Sequence, residues 1–257
     1  GVRTVEAVTR WLDAGAASVD ERPIFLFVHL WDVHYDYLPP PGYAERFDPD
    51  YTGKLDARDL ANNPAVEPGM SPRDFEHLLA LYDGEIRFTD ENLGRILDQL
   101  DLHGRLKDAL VVVTADHGEE FFEHGGKGHQ KSLYDEVVRI PLILRWPGHL
   151  TAGTAVKDQV RLIDVMPTLI AFAGIRERPP TQGRDIGPLL RGESLPPAPA
   201  LLELLVDRND VRALRTAEAK TISWRHAGAS FLYDLVRDPH ELHPIAPNDL
   251  GLKRGLG

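Results

Sequence analysis

The sequence predicts an α/β fold: a mostly parallel central sheet flanked by helices, with a small antiparallel sheet at the C-terminal end. Three observations carry this expectation. Two apolar runs, Ile24 to Leu30 (IFLFVHL) and Ala109 to Val113 (ALVVV), are nearly continuous, as strands buried on both faces of a parallel sheet are. Long stretches of helical spacing precede each of them. Four short runs separated by turn residues, beginning at Leu201, close the chain.

Taken in order, Val2 to Ala17 places Val5, Val8, Trp11 and Leu12 on one face and reads as an amphipathic helix. The breaker Asp20 to Pro23 leads into the first strand run. His29 lies inside that run and reads as a core histidine. Leu38 to Pro72, rich in Pro, Gly, Asp and Asn, reads as a long surface excursion, either a substrate-facing lid or a solvated insertion. Asp74 to Leu102 returns to helical spacing through Phe75, Leu78, Leu79, Tyr82, Ile86, Leu93, Ile96, Leu97 and Leu100, with Gly104 as its stop signal. Ile140 to Trp146 reads as another strand, and Ile163 to Ala173 as a short helix. A Pro-rich stretch from Gly174 to Pro199 then links to Leu201–Val206, Val211–Arg215, Lys220–Trp224 and Phe231–Leu235. This divides the chain into an α/β domain over residues 1–199 and an antiparallel subdomain over 200–257.

Composition narrows the partners. A formal net charge of -11 and a pI near 5.4 supply no basic stripe to replace phosphate counterions, so nucleic acid is not expected. A small anionic substrate needs only a local patch of positive charge, and Lys127 to Lys131 offers one. No apolar run approaches the roughly 20 residues that span a bilayer, so no transmembrane segment is expected. With no cysteine there is no disulfide framework, and the compartment stays open.

The chemistry concentrates after the two strand runs, at the carboxyl ends where α/β sheets place ligands. After the second run come Asp116 and His117, then Glu119, Glu120, Glu123, His124, Lys127, His129 and Lys131. The adjacent pair offers one carboxylate oxygen and one imidazole nitrogen. That suits a divalent cation, and equally a hydrogen-bonded structural pair. After the first run come Asp32 and His34, a second candidate cluster. A Gly-x-Ser-x-Gly elbow, a P-loop and a His-Glu-x-x-His helix are all absent from the sequence, which removes several hydrolase classes.

Five segments in this order, FLFVHLWDVHYDYLPP, YDGEIRFTDENLGRIL, LVVVTADHGEEFFEHGGKGHQKSLYDEVVRIPLILRWPG, LIDVMPTLIAFAG and FLYDLVRDPHEL, resemble the sulfatase family of the alkaline phosphatase superfamily. The most specific parts are Thr114 to Glu119 and Ser132 to Glu136 leading to Arg139-Ile140-Pro141. The resemblance implies an alkaline phosphatase-like fold and a metal-dependent hydrolase of sulfate esters. It implies that Asp116 and His117 ligate a divalent metal, most often calcium, with manganese or zinc as alternatives. It points to His34 as a contact to the sulfate or leaving oxygen, to His129, with Lys127 as second choice, for similar work, and to Asp32 as an orienting group.

The departure from that family is as informative as the match. The expected first strand with its Asp-Asp metal pair and the Cys/Ser-x-Pro-x-Arg segment that supplies the nucleophile have no counterpart in these residues. The resemblance therefore implies a partial chain with its N-terminal strands missing, inactive alone, with a sheet edge through which it self-associates. Two other readings follow the same residues. One is a phosphonate monoester or phosphodiester hydrolase, or a phosphoethanolamine transferase, of the same superfamily. The other is a nonenzymatic remnant that binds an anion or a protein.

Overall fold

A computed structural model describes residues 1–15, 23–177, 179–206 and 209–245. The chain forms two compact units, Gly1–Ala109 and Leu110–Gly257. Each has its own core and is described by itself.

The first unit is built on helices α1 (Val2–Asp13) and α2 (Pro72–Leu102). The apolar stripe of α1 meets that of α2 through Val8, Leu12 and Ile96, with Val5, Trp11, Val28, Leu30 and Leu100 packed around them. The α1 helix is shorter than the expected Val2–Ala17, and Ala16 and Ala17 lie outside the described residues. Helix α2 starts where its cap chemistry dictates. Ser71 accepts the Asp74 N–H at 3.1 Å, and Pro72 occupies the first helical position, where a missing N–H costs nothing. It ends before Gly104, whose φ of 66° suits glycine.

Two expectations for this unit are corrected. Among the described residues Ile24–Leu30 forms neither helix nor strand and joins no sheet. Val28 and Leu30 turn to the helical core, whereas Phe25 and Phe27 are 76% and 78% exposed. His29 accordingly is an exposed ring beside Trp31 and not a core residue. The stretch from Leu38 to Pro72 is no solvated excursion either. It buries Ala57, Leu60 and Val66 almost completely and is tied to α2 by polar side chains. Tyr43 donates to Glu91 (2.7 Å), Tyr51 donates to Asp74 (2.6 Å) and stacks on His77 at 3.6 Å, and Asp48 pairs with Arg73 and His77. Aromatic residues spaced among prolines carried that packing without any period to announce it.

In the second unit, β1 (Val111–Thr114) pairs antiparallel with β4 (Leu142–Arg145), and between them run β2 (Glu120–Phe121), β3 (Lys127–Gly128) and the short helix α3 (Asp135–Val138). A 3-10 turn at Leu162–Asp164 opens α4 (Val165–Phe172), and α5 (Gly187–Leu190) follows. The C-terminal runs form the antiparallel sheet β5 (Ala200–Val206), β6 (Asn209–Arg215), β7 (Ala219–Trp224) and β8 (Ala229–Asp234), in that spatial order. Its inner face, with Val211, Ala213, Ile222 and Tyr233, shares one core with Leu133, Tyr134 and Val138. The sheet therefore backs the segment that leaves the polar loop. Among the described residues no helix is long and apolar enough to cross a membrane.

Candidate functional site

The polar loop between β1 and α3 is held from both ends. At its start, Thr114 donates its hydroxyl to the Pro141 carbonyl at 2.8 Å. The Gly118 and Glu119 N–H groups then donate to the carbonyls of Val137 (2.7 Å) and Glu136 (3.0 Å). This approach leaves no room for a side chain at 118, because a Cβ there would collide with the Glu136 carbonyl oxygen. Position 126 is constrained in the same way by the Glu120 carboxylate, 2.9 Å from a Cβ built on Gly126.

Glu120, 3% exposed, explains the hairpin that follows. Its Oε1 accepts the Gly126 N–H at 2.7 Å and its Oε2 accepts the Ser132 hydroxyl at 3.1 Å, closing the β2–β3 ribbon onto the chain beyond it. His124 is also fixed. Its Nδ1 lies 2.6 Å from Glu136 Oε1 and its Nε2 lies 3.0 Å from the Glu241 carbonyl, with the ring stacked on Tyr134 at 3.5 Å. The loop is thus laced to its surroundings, and His124 is one of the laces.

What this scaffold presents is Asp116, His117 and His129. The His117 and His129 rings are 4.1 Å apart. His129 is 5% exposed, and its Nδ1 lies 2.9 Å from Glu119 Oε1, a carboxylate buried equally deeply. A buried carboxylate on one ring nitrogen fixes the tautomer, so the chemistry of His129 resides at Nε2. His117 turns its Nδ1 to the Gly118 carbonyl (2.8 Å), and its Nε2 lies 3.8 Å from Asp116 Oδ2. The Asp116 carboxylate is 80% exposed. An imidazole with Nδ1 satisfied by a carbonyl and Nε2 facing an open carboxylate fits two positions around a divalent cation. Among the described residues no group of three His, Cys, Asp or Glu side chains completes such a site. Lys127 stands in β3 opposite Phe121.

Asp32 and His34 belong to the first unit. The Gly1 amino group lies against the Asp32 carboxylate. His34 turns Nδ1 to the Tyr35 carbonyl at 2.6 Å and stacks on Trp31 at 4.8 Å.

Sequence reasoning missed the groups that orient these residues. Glu119 and Glu120 stood in the polar loop without roles. The anchor behind Tyr134–Glu136 was not foreseen at all. There Asp135 receives Arg215 (2.9 and 2.7 Å) and Lys220 (2.9 Å), while Glu241 Oε2 accepts from Lys220 (3.1 Å) and from the Asp135 N–H (2.7 Å). Burial pushes the Asp135 carboxyl up, but the Arg215 and Lys220 cations outweigh it and hold the group below the usual range. Burial raises Glu241 in spite of Lys220. A fully buried Lys220 in an alternating strand was the available signal, since a lysine on an inward position must be paired.

The Sulfatase family model matches residues 3–175, and the model of the N-sulphoglucosamine sulphohydrolase C-terminal region matches 123–250. The ulvan-active sulfatase of Formosa agariphila is 27% identical over 250 residues, covering 92% of this chain and 46% of that protein. The structure of the Bacteroides fragilis protein yidJ, named as a sulfatase, superposes with a TM-score of 0.77 at 25% identity, over 97% of this chain and 55% of its own. The phosphonate monoester hydrolase of Agrobacterium radiobacter shares the fold, with a TM-score of 0.74 at 24% identity over 94% of this chain and 55% of its own. The chain spans about half the length of these relatives.

Proposed function

We propose, because this chain belongs to the sulfatase family, that it supplies the anion-binding and proton-handling part of a sulfate-ester hydrolase. The observation that carries the reading is the buried Glu119–His129 pair, with the His129 ring against His117, whose Nε2 faces Asp116. Asp116 and His117 would hold a divalent cation, calcium first, with manganese or zinc as alternatives. When bound, such a cation neutralises charge on a tetrahedral anion.

The remaining roles fall to the protein's own side chains. With Nδ1 fixed by Glu119, His129 carries at Nε2 the proton that the departing alcohol oxygen needs. Lys127 adds positive charge from the same loop. His34 contacts the sulfate or the leaving oxygen, and Asp32 orients that neighbourhood. The substrate is a small sulfate ester. No cysteine and no Ser-x-Pro-x-Arg pattern occurs in these 257 residues, so turnover requires a nucleophile from additional sequence, and the chain alone binds anions without hydrolysing them.

The fold shared with the Agrobacterium phosphonate monoester hydrolase supports one second reading, phosphonate or phosphodiester hydrolysis on the same frame. Calcium binding and turnover in Asp116→Ala, made in the protein carrying its nucleophile segment, test the first reading. Loss of both is expected, and unchanged metal content together with unchanged turnover would remove Asp116 from the site.

A further inference from the structure

The first unit contains a buried carboxyl that the chemistry above does not use. Glu85 lies within α2, 8% exposed. Next to it, Gly84 brings the helix against the backbone of Ala44 and the ring of Pro39, 2.9 and 3.0 Å from a Cβ built there. Glu85 Oε1 accepts the Leu38 N–H at 2.8 Å, and the Val33 N–H opposes the upward push of burial on the same carboxyl. Those two amides bracket His34. Val33 has a φ of 72°, a costly backbone conformation for a β-branched residue, so a tie on its amide has strain to offset. A further tie comes from Asp36, whose Oδ1 accepts the Leu60 N–H at 2.8 Å.

The carboxyl is expensive to keep here. Its Oε2 is buried without a hydrogen-bond partner. Burial pushes the group up to about 7, with Asp32 and Asp36 acting in the same direction and the two backbone N–H groups opposing. If packing alone were at stake, an apolar side chain would serve at lower cost. We propose that Glu85 is a positioning residue for His34, its carboxyl clamping the Val33 and Leu38 amides so that the loop between them presents the imidazole in one fixed pose. The proposal rests on the reading of His34 as an anion contact.

The clamp can be read first without any variant. In the 257-residue chain, the Val33 and Leu38 amides should exchange with solvent roughly 100-fold more slowly than freely exposed amides, as hydrogen-bonded buried groups do. Exchange at the exposed rate overturns the proposal. Glu85→Leu should cut that protection by about tenfold or more, whereas Glu85→Gln, which keeps an accepting oxygen, should retain it. Turnover of an aryl sulfate, in the protein carrying its nucleophile segment, separates this role from plain stability. Glu85→Leu should lower kcat about tenfold or more with KM changed less than about threefold, as misplacement of a reacting group does. Adding Glu85→Leu to His34→Ala should cost nothing further. Unchanged turnover in His34→Ala would bring down the His34 reading and this proposal with it. A slow His34→Ala beside a Glu85→Leu that matches the parent would overturn the clamp alone.

Discussion

Two carboxylates that sequence reading passed over govern the histidines it singled out. Glu119 fixes His129 through a 2.9 Å contact in a fully buried setting. Its loss should therefore act through His129. His129→Ala is expected to lower turnover about 100-fold or more, within the usual range for general acid catalysis. Glu119→Gln should lose about tenfold, because an amide holds the Nδ1 side of the ring less firmly than a carboxylate does. Turnover of the two variants, made in the protein carrying its nucleophile segment, checks both, and an undiminished rate in Glu119→Gln would leave Glu119 a packing residue. Glu85 makes a thermodynamic prediction. Its folded pKa of about 7 lies above the unfolded value near 4.5, so between those limits the folded state holds the extra proton and stability falls as pH rises. At about 1.4 kcal/mol per pH unit, the loss is at most about 3 kcal/mol by pH 8. Urea unfolding at pH 5 and pH 8 should show this slope in the parent and lose it in Glu85→Gln.

The elements show which signals a sequence carries and which it hides. Helices α1 and α2, β1, β4 and the four C-terminal strands were legible because their apolar spacing is local and repeated. The stop residue Gly104 marked the end of α2 within a few positions. The contents of 38–72 and the lacing of the polar loop were not legible, because each contact there joins residues far apart in sequence, as in Tyr43 with Glu91 or His124 with Glu241. Of the site, the strand-end position of Asp116 and His117 could be read directly, whereas the pairing of His129 with Glu119 needed coordinates. Two substitutions probe these hidden contacts. Lys220→Ala leaves Asp135 and Glu241 buried without their shared cation and should destabilise the second unit by about 3–5 kcal/mol. Because Asp135 is held below its ordinary range, its contribution is present above about pH 4 and is lost as pH falls further. Gly118→Ala meets backbone and not a yielding side chain, and should cost about 1–3 kcal/mol. Chemical denaturation measures both, and a Gly118→Ala variant as stable as the parent would mean that the 118–137 contact is loose in solution.

At the scale of the whole molecule, the family fold and the distribution of chemistry point the same way. The loop that the C-terminal sheet backs carries the Asp-His pair and the buried Glu-His pair, while the nucleophile pattern is not among these residues. The chain as given should accordingly show no release of sulfate from aryl sulfates with calcium, manganese or zinc present, and metal-dependent release by it would mean that its own residues complete the reaction. The most direct test of the central claim is sulfate release from an aryl sulfate by the protein carrying its nucleophile segment, measured beside Asp116→Ala, His129→Ala and an aryl phosphonate. The account predicts calcium-dependent release that falls about 100-fold or more in each variant, with the sulfate preferred over the phosphonate. Undiminished release in both variants, or a preference for the phosphonate, would contradict it.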